Sequence, residues 1–184
     1  MKIYVMRHGL TELNKKKVVN AQIDEPLAPE GVKQAKAIAA SIPETVTHIY
    51  VSPLLRAKQT AKIINTKKLP TSEQKELAEI HMGSLAGKAW DEMEFGSELK
   101  QKHRGIQFDY RQHGGESASD VKKRIVKFLQ SINDKHKDNE VLIVTHGGII
   151  RTLHLLQNGI PQVEEIENLA LLEFEIDTIL KNFL

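Results

Sequence analysis

No cysteine occurs in the 184 residues, so the chain can form no disulfide, offers no thiolate nucleophile and lacks the ligands of the usual zinc clusters. Long hydrophobic runs are missing too. None approaches the roughly 18 consecutive apolar residues that a membrane span requires, so no membrane partner is expected. Aromatic residues are scarce, at 5%, and the formal net charge is only +2. With no basic stripe interleaved with aromatics, nucleic acid is not an expected partner either. There is no internal repeat, low-complexity tract or linker, which at this length predicts a single domain over residues 1–184. The first apolar run begins at residue 2 or 3 and leaves no room for a removable leader; together with the missing cysteines, this predicts a cytoplasmic protein. Nothing in the sequence specifies an oligomeric state. What remains is ordinary for a globular chain: 40% hydrophobic and 27% charged residues.

The informative stretch is the first. Ile3 to Met6 has the length and β-branched content of a buried strand, and polarity switches abruptly at Arg7-His8-Gly9. In an α/β sheet ligands bind in the crevice beyond the carboxyl ends of the strands, so Arg7 and His8 would face it, with Gly9 allowing the sharp turn. An imidazole can serve as nucleophile, base or metal ligand. A guanidinium immediately before it argues against a metal and for an anion, because arginine forks match phosphate oxygens in pairs and a neutral histidine can attack phosphorus. A second apolar run, Val141 to Val144, ends the same way in Thr145-His146-Gly147-Gly148. Two such ends in one parallel sheet would set two histidines side by side.

Between these ends strands and helices alternate, which predicts an α/β fold: a three-layer α/β/α sandwich with a mostly parallel central sheet. Pro29 opens a helix expected to run to about Ile42-Pro43, with Val32, Ala35, Ile38 and Ala39 at helical spacing. Thr47 to Val51 reads as a strand, followed by a proline-marked turn into a helix whose first turn carries Arg56. Thr71 to Gln74 is a short extended stretch. A long amphipathic helix from about Ser117 to His136 presents Val121, Ile125, Phe128, Leu129 and Ile132 on one face. A helix begins at Gly148, and Leu169 to Ile176 forms a last strand near one edge. Residues 88–113 have the weakest periodicity. Lys15-Lys16-Lys17 reads as a solvated loop, with steering of anionic substrates as the alternative. His48, His136 and His154 have no motif around them and read as structural or solvated.

Taken in order, Arg-His-Gly-x-Thr-x-x-Asn at 7–14, Asp-x-Pro-Leu at 24–27, Gly-x-x-Gln-Ala at 31–35, Ser-Pro-Leu-x-Arg-Ala-x-Gln-Thr-Ala at 52–61, Glu-x-x-x-Gly at 79–83, Gly-Gly-Glu-Ser at 114–117 and Thr-His-Gly-Gly at 145–148 resemble the histidine phosphatase superfamily, the phosphoglycerate mutase-like proteins. The resemblance runs over nearly the whole chain. It implies a catalytic set of His8, Glu79 and His146, with His8 as nucleophile and Glu79 as acid and base, and phosphate contacts from Arg7, Asn14, Arg56, His146 and Gly147. It also implies that no metal and no cofactor is needed, that the partner is a small-molecule phosphate monoester, and that 88–113 is a lid-like insertion. Within that segment Lys100, Lys102, His103, Arg104, Arg111 and His113 are candidate substrate contacts, with plain solvent exposure the alternative for each. Asn20-Ala21 departs from the Gln-Gly that relatives often carry, and Gly83 to Gly87 departs from the pattern common in the phosphatases.

The expected reaction is metal-independent hydrolysis of a phosphate monoester through a phosphohistidine. A mutase of the phosphoglycerate type is the alternative within the fold. Mutases of the family carry an arginine after the carboxylate and a tyrosine before the glycine, where this chain has Ile80 and Met82. A silent phospho-ligand binding module is the alternative from another class.

Overall fold

The computed structural model describes residues 1–136 and 139–183. Twelve named elements position the site. In chain order they are β1 (Lys2–Arg7), α1 (Glu12–Lys15), α2 (Pro29–Ile38), β2 (Val46–Val51), α3 (Leu55–Ile64), β3 (Thr71–Glu73), α4 (Gly96–Arg104), α5 (Ala118–Lys135), β4 (Glu140–Thr145), α6 (Gly147–Asn158), β5 (Leu171–Glu175) and α7 (Ile176–Phe183). The strands form one sheet in the order β3-β2-β4-β1-β5. All neighbours are parallel except β5, which runs antiparallel to β1 at the edge. The mostly parallel sheet expected from the alternation of elements is what forms.

The strands are buried on both faces because each alternates two apolar sets. Tyr4, Met6, Ile49, Val51, Leu142 and Val144 pack with Ala35 and Ala39 after β1 and with Ala57, Ala61 and Ile64 of α3. Ile3, Val5, Tyr50, Val141 and Ile143 pack on the other face against Val121, Ile125, Phe128, Leu129 and Ile132 of α5 and Ile149, Ile150 and Leu153 of α6. Shifting any strand by one residue would exchange these sets, so the register is tightly specified. It aligns Arg7 with Thr145, and the His8 amide extends the ladder to the Thr145 carbonyl at 2.9 Å. His8 and His146 therefore leave the sheet as neighbours.

The caps explain several short motifs. Ser117 and Asp120 form a reciprocal capping box at the start of α5, of the kind whose loss costs about 0.5–2 kcal/mol. At α3 the cap comes from far away, since the Leu55 amide donates to Asp24 Oδ1 at 2.6 Å. The Asp-x-Pro-Leu stretch thus fastens the loop after β1 to the helix that carries Arg56. Gly31 in α2 is required by close approach: a Cβ there would lie 2.2 Å from the Leu10 carbonyl oxygen.

Two elements have bounds that differ from the sequence expectation. The helix from Pro29 is α-helical only to Ile38 and closes in a tighter 3₁₀ turn over Ala39–Ser41. The last strand is shorter, Leu171–Glu175, and Ile176 opens α7. Within 88–113, where the periodicity is weakest, Phe108 and Tyr110 are buried while Phe95 is 72% exposed. Phe108 and Tyr110 stack with ring centroids 4.9 Å apart, and His103 at the end of α4 lies on Phe108 and donates or accepts at the Tyr110 hydroxyl, 3.0 Å away. Among the described residues no helix is long and apolar enough to cross a membrane.

Candidate active site

His8 is almost wholly buried, and its Nδ1 lies 2.8 Å from the Gly9 carbonyl oxygen. A carbonyl only accepts, so Nδ1 carries the hydrogen and Nε2 is left unprotonated, with its lone pair free to accept. Burial first, then the charges of Arg56 and Arg7, push the His8 pKa well below the usual histidine range. The ring is neutral at neutral pH. Arg56, fully buried on the first turn of α3, donates from Nε to His8 Nε2 at 3.2 Å. Its other two nitrogens are held by the Ile23 and Ala21 carbonyls at 2.7 and 2.8 Å. The loop with the unusual Asn20-Ala21 is therefore what aims Arg56, and Ala21 adopts φ 44°, a left-handed conformation that suits glycine. Arg7 donates to the Ile166 carbonyl, while its Nε is buried with no partner among the described residues.

The His146 ring stands 5.1 Å from that of His8, centroid to centroid. It is fully buried and is not among the residues lining the open cavity, where the sequence reading expects a phosphate contact. Its Nε2 lies 2.6 Å from Ser52 Oγ, which already accepts from the Leu54 amide at 3.3 Å. The Ser52 hydroxyl then acts best as donor to Nε2, which leaves the hydrogen of His146 on Nδ1. That atom is buried without a partner among the described residues. Burial, followed by the charges of Arg56, His8, Arg7 and Arg124, lowers the His146 pKa well below the usual range.

Glu79 lines the same cavity from the segment after β3. Its carboxylate accepts from the amides of Ile80 at 2.9 Å and Gly148 at 3.2 Å. Gly148 must be glycine for this approach, because a Cβ would lie 2.5 Å from Glu79 Oε1 and equally close to Ile80 Cδ1. The segment is buckled from behind by an ion pair between α5 and the Gly-Gly-Glu-Ser turn. Arg124 binds both Glu116 oxygens, at 2.8 and 3.1 Å, and donates to the carbonyls of Glu76 and Glu79, while Glu116 accepts from the His81 amide at 2.9 Å. Glu76 contributes only its carbonyl.

These groups border a cavity of about 460 Å³ whose wall includes Arg7, His8, Asn14, Arg56, Glu79 and Gly147. Asn14 is fixed there by Asn168, which donates to its Oδ1 at 3.2 Å and to the His8 carbonyl at 2.9 Å. One Asn14 amide hydrogen goes to Asn20 at 3.2 Å, and the other remains available. Of the basic residues in 88–113, Lys100, His103 and Arg104 line the cavity with Trp90. Lys102 pairs with Glu98 and Arg111 with Asp109, and His113 is not on the wall. Of the lysine run only Lys17 lines the cavity, while Lys15 pairs with Glu12 and Glu30. The sequence reading passes over Ser52, Arg124, Asn168 and Arg151. Arg151 carries a usable signal, an arginine in the apolar run Ile149-Ile150-Arg151-Thr152-Leu153, one helical turn beyond Gly147-Gly148.

Comparison with known proteins agrees with this geometry. The family description "Histidine phosphatase superfamily (branch 1)" matches residues 3–178, and the chain belongs to that superfamily. The expected enzyme class, a histidine phosphatase, stands with it. Among characterised relatives, the metal-independent phosphoserine phosphatase of Arabidopsis thaliana is 36% identical over 162 residues, covering 83% of this chain and 67% of the relative. Phosphoglycerate mutase-like protein 4 of the same plant is 32% identical over 176 residues, covering 91% and 74%. Among solved structures, YhfR of Bacillus stearothermophilus superposes with a TM-score of 0.76 at 31% identity, over 87% of this chain and 81% of that one. TTHB049 of Thermus thermophilus gives 0.78 at 28% identity, over 94% and 92%.

Proposed function

We propose that the protein hydrolyses a small phosphate monoester without a metal, through a phosphoryl group carried on Nε2 of His8. The observation that carries this reading is the neutral, buried His8, with Nδ1 committed to Gly9 and an unprotonated Nε2 that accepts from Arg56 inside a cationic cradle. The Nε2 lone pair forms a bond to phosphorus as the bond to the leaving oxygen breaks, and Glu79 as the acid gives that oxygen its proton. The imidazolium formed keeps its Nδ1 hydrogen bond to Gly9. Arg7, Arg56 and the free side-chain N–H of Asn14 supply donors for the charge on the phosphoryl oxygens, where positioning and electrostatics do most of the work. Glu79 as carboxylate then takes a proton from water, whose oxygen attacks phosphorus and releases Nε2.

Every donor in this set is an organic cation or an amide, and among the described residues no group of three histidine or acidic side chains is arranged to hold a metal ion. The apolar Ile80 and Met82 on the cavity wall favour water over a second sugar acid as acceptor. The test is to trap the intermediate. A brief reaction should leave an acid-labile, base-stable phosphoryl group on the wild type, with full turnover in excess EDTA, and His8→Ala should abolish both. Phosphate trapped on serine or aspartate, or a requirement for added metal, overturns the reading.

A further inference from the structure

The segment between α6 and β5 crosses the end of β1 as a strap. Ile166 is buried in the core against α5 and α6, and Leu169 packs against the core on the other face of the sheet, so the strap is anchored on both sides. At the crossing it grips the main chain of Arg7 twice. The Arg7 amide donates to the Ala170 carbonyl at 3.1 Å, and the Arg7 carbonyl accepts from the Leu169 amide at 3.0 Å. The Arg7 side chain donates to the Ile166 carbonyl. Leu169 adopts φ 65°, a left-handed conformation that a bulky aliphatic residue keeps only where its surroundings impose it.

Asn168 stands within this strap on the cavity wall, and its partners set the sense of a row of three amides. The His8 carbonyl can only accept, so the Asn168 atom 2.9 Å from it is Nδ2. The same nitrogen lies 3.2 Å from an Asn14 atom that is also 3.3 Å from the Thr11 backbone N–H, which can only donate, so that atom is Oδ1. Asn20 is oriented separately, because its Nδ2 donates to the Glu25 carboxylate and to Thr11 Oγ1. Its Oδ1 therefore receives one N–H of Asn14, at 3.2 Å, and the other N–H is left for the cavity. Turning the Asn14 amide over would set donor against donor at Asn168 and Thr11, acceptor against acceptor at Asn20, and an oxygen against the phosphate.

We propose that Asn168 is a positioning residue for phosphoryl transfer: through one side-chain nitrogen it holds the Asn14 amide with its free N–H toward the phosphoryl group and fixes that donor relative to His8. The role rests on the phosphatase reading. A donor aimed at charge that develops in the transition state loses its value when it is free to swing.

The test is a double-mutant cycle of Asn168→Ala and Asn14→Ala, read in the p-nitrophenyl phosphate burst. Asn168→Ala should slow the burst about tenfold when Asn14 is present. In the Asn14→Ala background there is no amide left to aim, and the same change should cost less than about twofold. An equal fall in both backgrounds means that Asn168 merely braces the strap, and overturns the proposal while leaving the phosphatase reading intact. Asn168→Leu keeps the shape of the side chain and removes the donor, so it carries the same comparison if Asn168→Ala does not fold. A second arm reads the amide directly by nuclear magnetic resonance. The Asn14 side-chain amide signal, assigned by its loss in Asn14→Ala, should shift when orthovanadate binds the wild type and stay in place when it binds Asn168→Ala or Asn168→Leu. A shift in the variants as large as in the wild type overturns the proposal. A wild type that binds vanadate but turns over no ester defeats the phosphatase reading alone, and the amide signal then decides the role of Asn168; a wild type that does neither defeats both.

Discussion

Gly148→Ala is a one-carbon perturbation of the contact that places Glu79. The added Cβ would start 2.5 Å from Glu79 Oε1 and 2.5 Å from Ile80 Cδ1. To reach ordinary van der Waals distance the carboxylate must retreat by about 1 Å, and a misplacement of that size can cost roughly 10²-fold in rate. The retreat also breaks the 3.2 Å bond from the Gly148 amide. The effect on stability is smaller, because two terms oppose. Alanine is about 1 kcal/mol better than glycine inside a helix, and overpacking costs about 1–3 kcal/mol. The variant should therefore fold, with a net loss of about 0–2 kcal/mol by these figures. It should turn over alkyl phosphates about a hundredfold more slowly. The assay is stopped-flow turnover with glycerol phosphate and with p-nitrophenyl phosphate, beside a thermal melt. The aryl leaving group departs without a proton, so its burst should be nearly preserved. Alkyl turnover within threefold of wild type, or an equal fall in the aryl burst, would refute the reasoning that Gly148 acts by letting Glu79 reach the leaving oxygen.

Glu79→Gln should show the same discrimination more strongly, losing about 10² to 10⁴ in alkyl turnover, with an aryl burst followed by a slow steady state; equal burst losses for both substrates would shift attention to Glu116. Arg124→Met removes the buckle behind Glu79 and should lower kcat for alkyl phosphates by about tenfold while KM changes little, with partial rescue in Arg124→Lys, since the segment shifts without leaving. A fall in the aryl burst as large as the alkyl loss would mean general loosening instead. Stability should decline on acidification. His8, His48, His136 and His146 all have pKa values lowered by burial, so below about 6.5 the unfolded chain binds protons that the native state does not. Unfolding free energy therefore rises with pH up to about 6.5 and is flat in these groups above it. Urea melts at pH 5 and 7.5 check this, and a native state more stable at pH 5 would contradict it.

How much of this could be read beforehand depends on whether the signal was local. β1 and β4 were legible because a strand buried on both faces is a short unbroken apolar run, and the abrupt Arg7-His8 and Thr145-His146 endings mark where the sheet stops. The α5 face and its capping box were legible for the same reason. α7 was not, because Leu171 to Ile179 continues one apolar pattern through the strand end, and only packing decides that Ile176 turns helical. α4 has almost no apolar stripe. It is held instead by its Glu98–Lys102 pair and by the stack of His103 on Phe108, a contact across a turn. At the site, Arg7, His8, Arg56 and Glu79 come together as expected, whereas Asn168 and Arg124 act through backbone carbonyls distant in sequence, which no spacing announces. His146 was recognised by motif, but its depth was not, since burial of a side chain beyond a strand end depends on what covers it.

The strand order has a kinetic consequence. β4 lies between β1 and β2, which do not pair with each other. The centre of the sheet therefore stays open until a segment from the last third of the chain inserts into it. Closing such distant pairings comes late, because the ordering entropy is lost before the contacts reward it. A chain still emerging from the ribosome, or one halted before residue 140, would expose the unpaired edges of β1 and β2 between which β4 lies in the finished sheet. Those edges are the hazard that late insertion carries. Recovery of phosphatase turnover during refolding would accordingly track the arrival of β4, and helix formation alone, seen by circular dichroism, would run ahead of it.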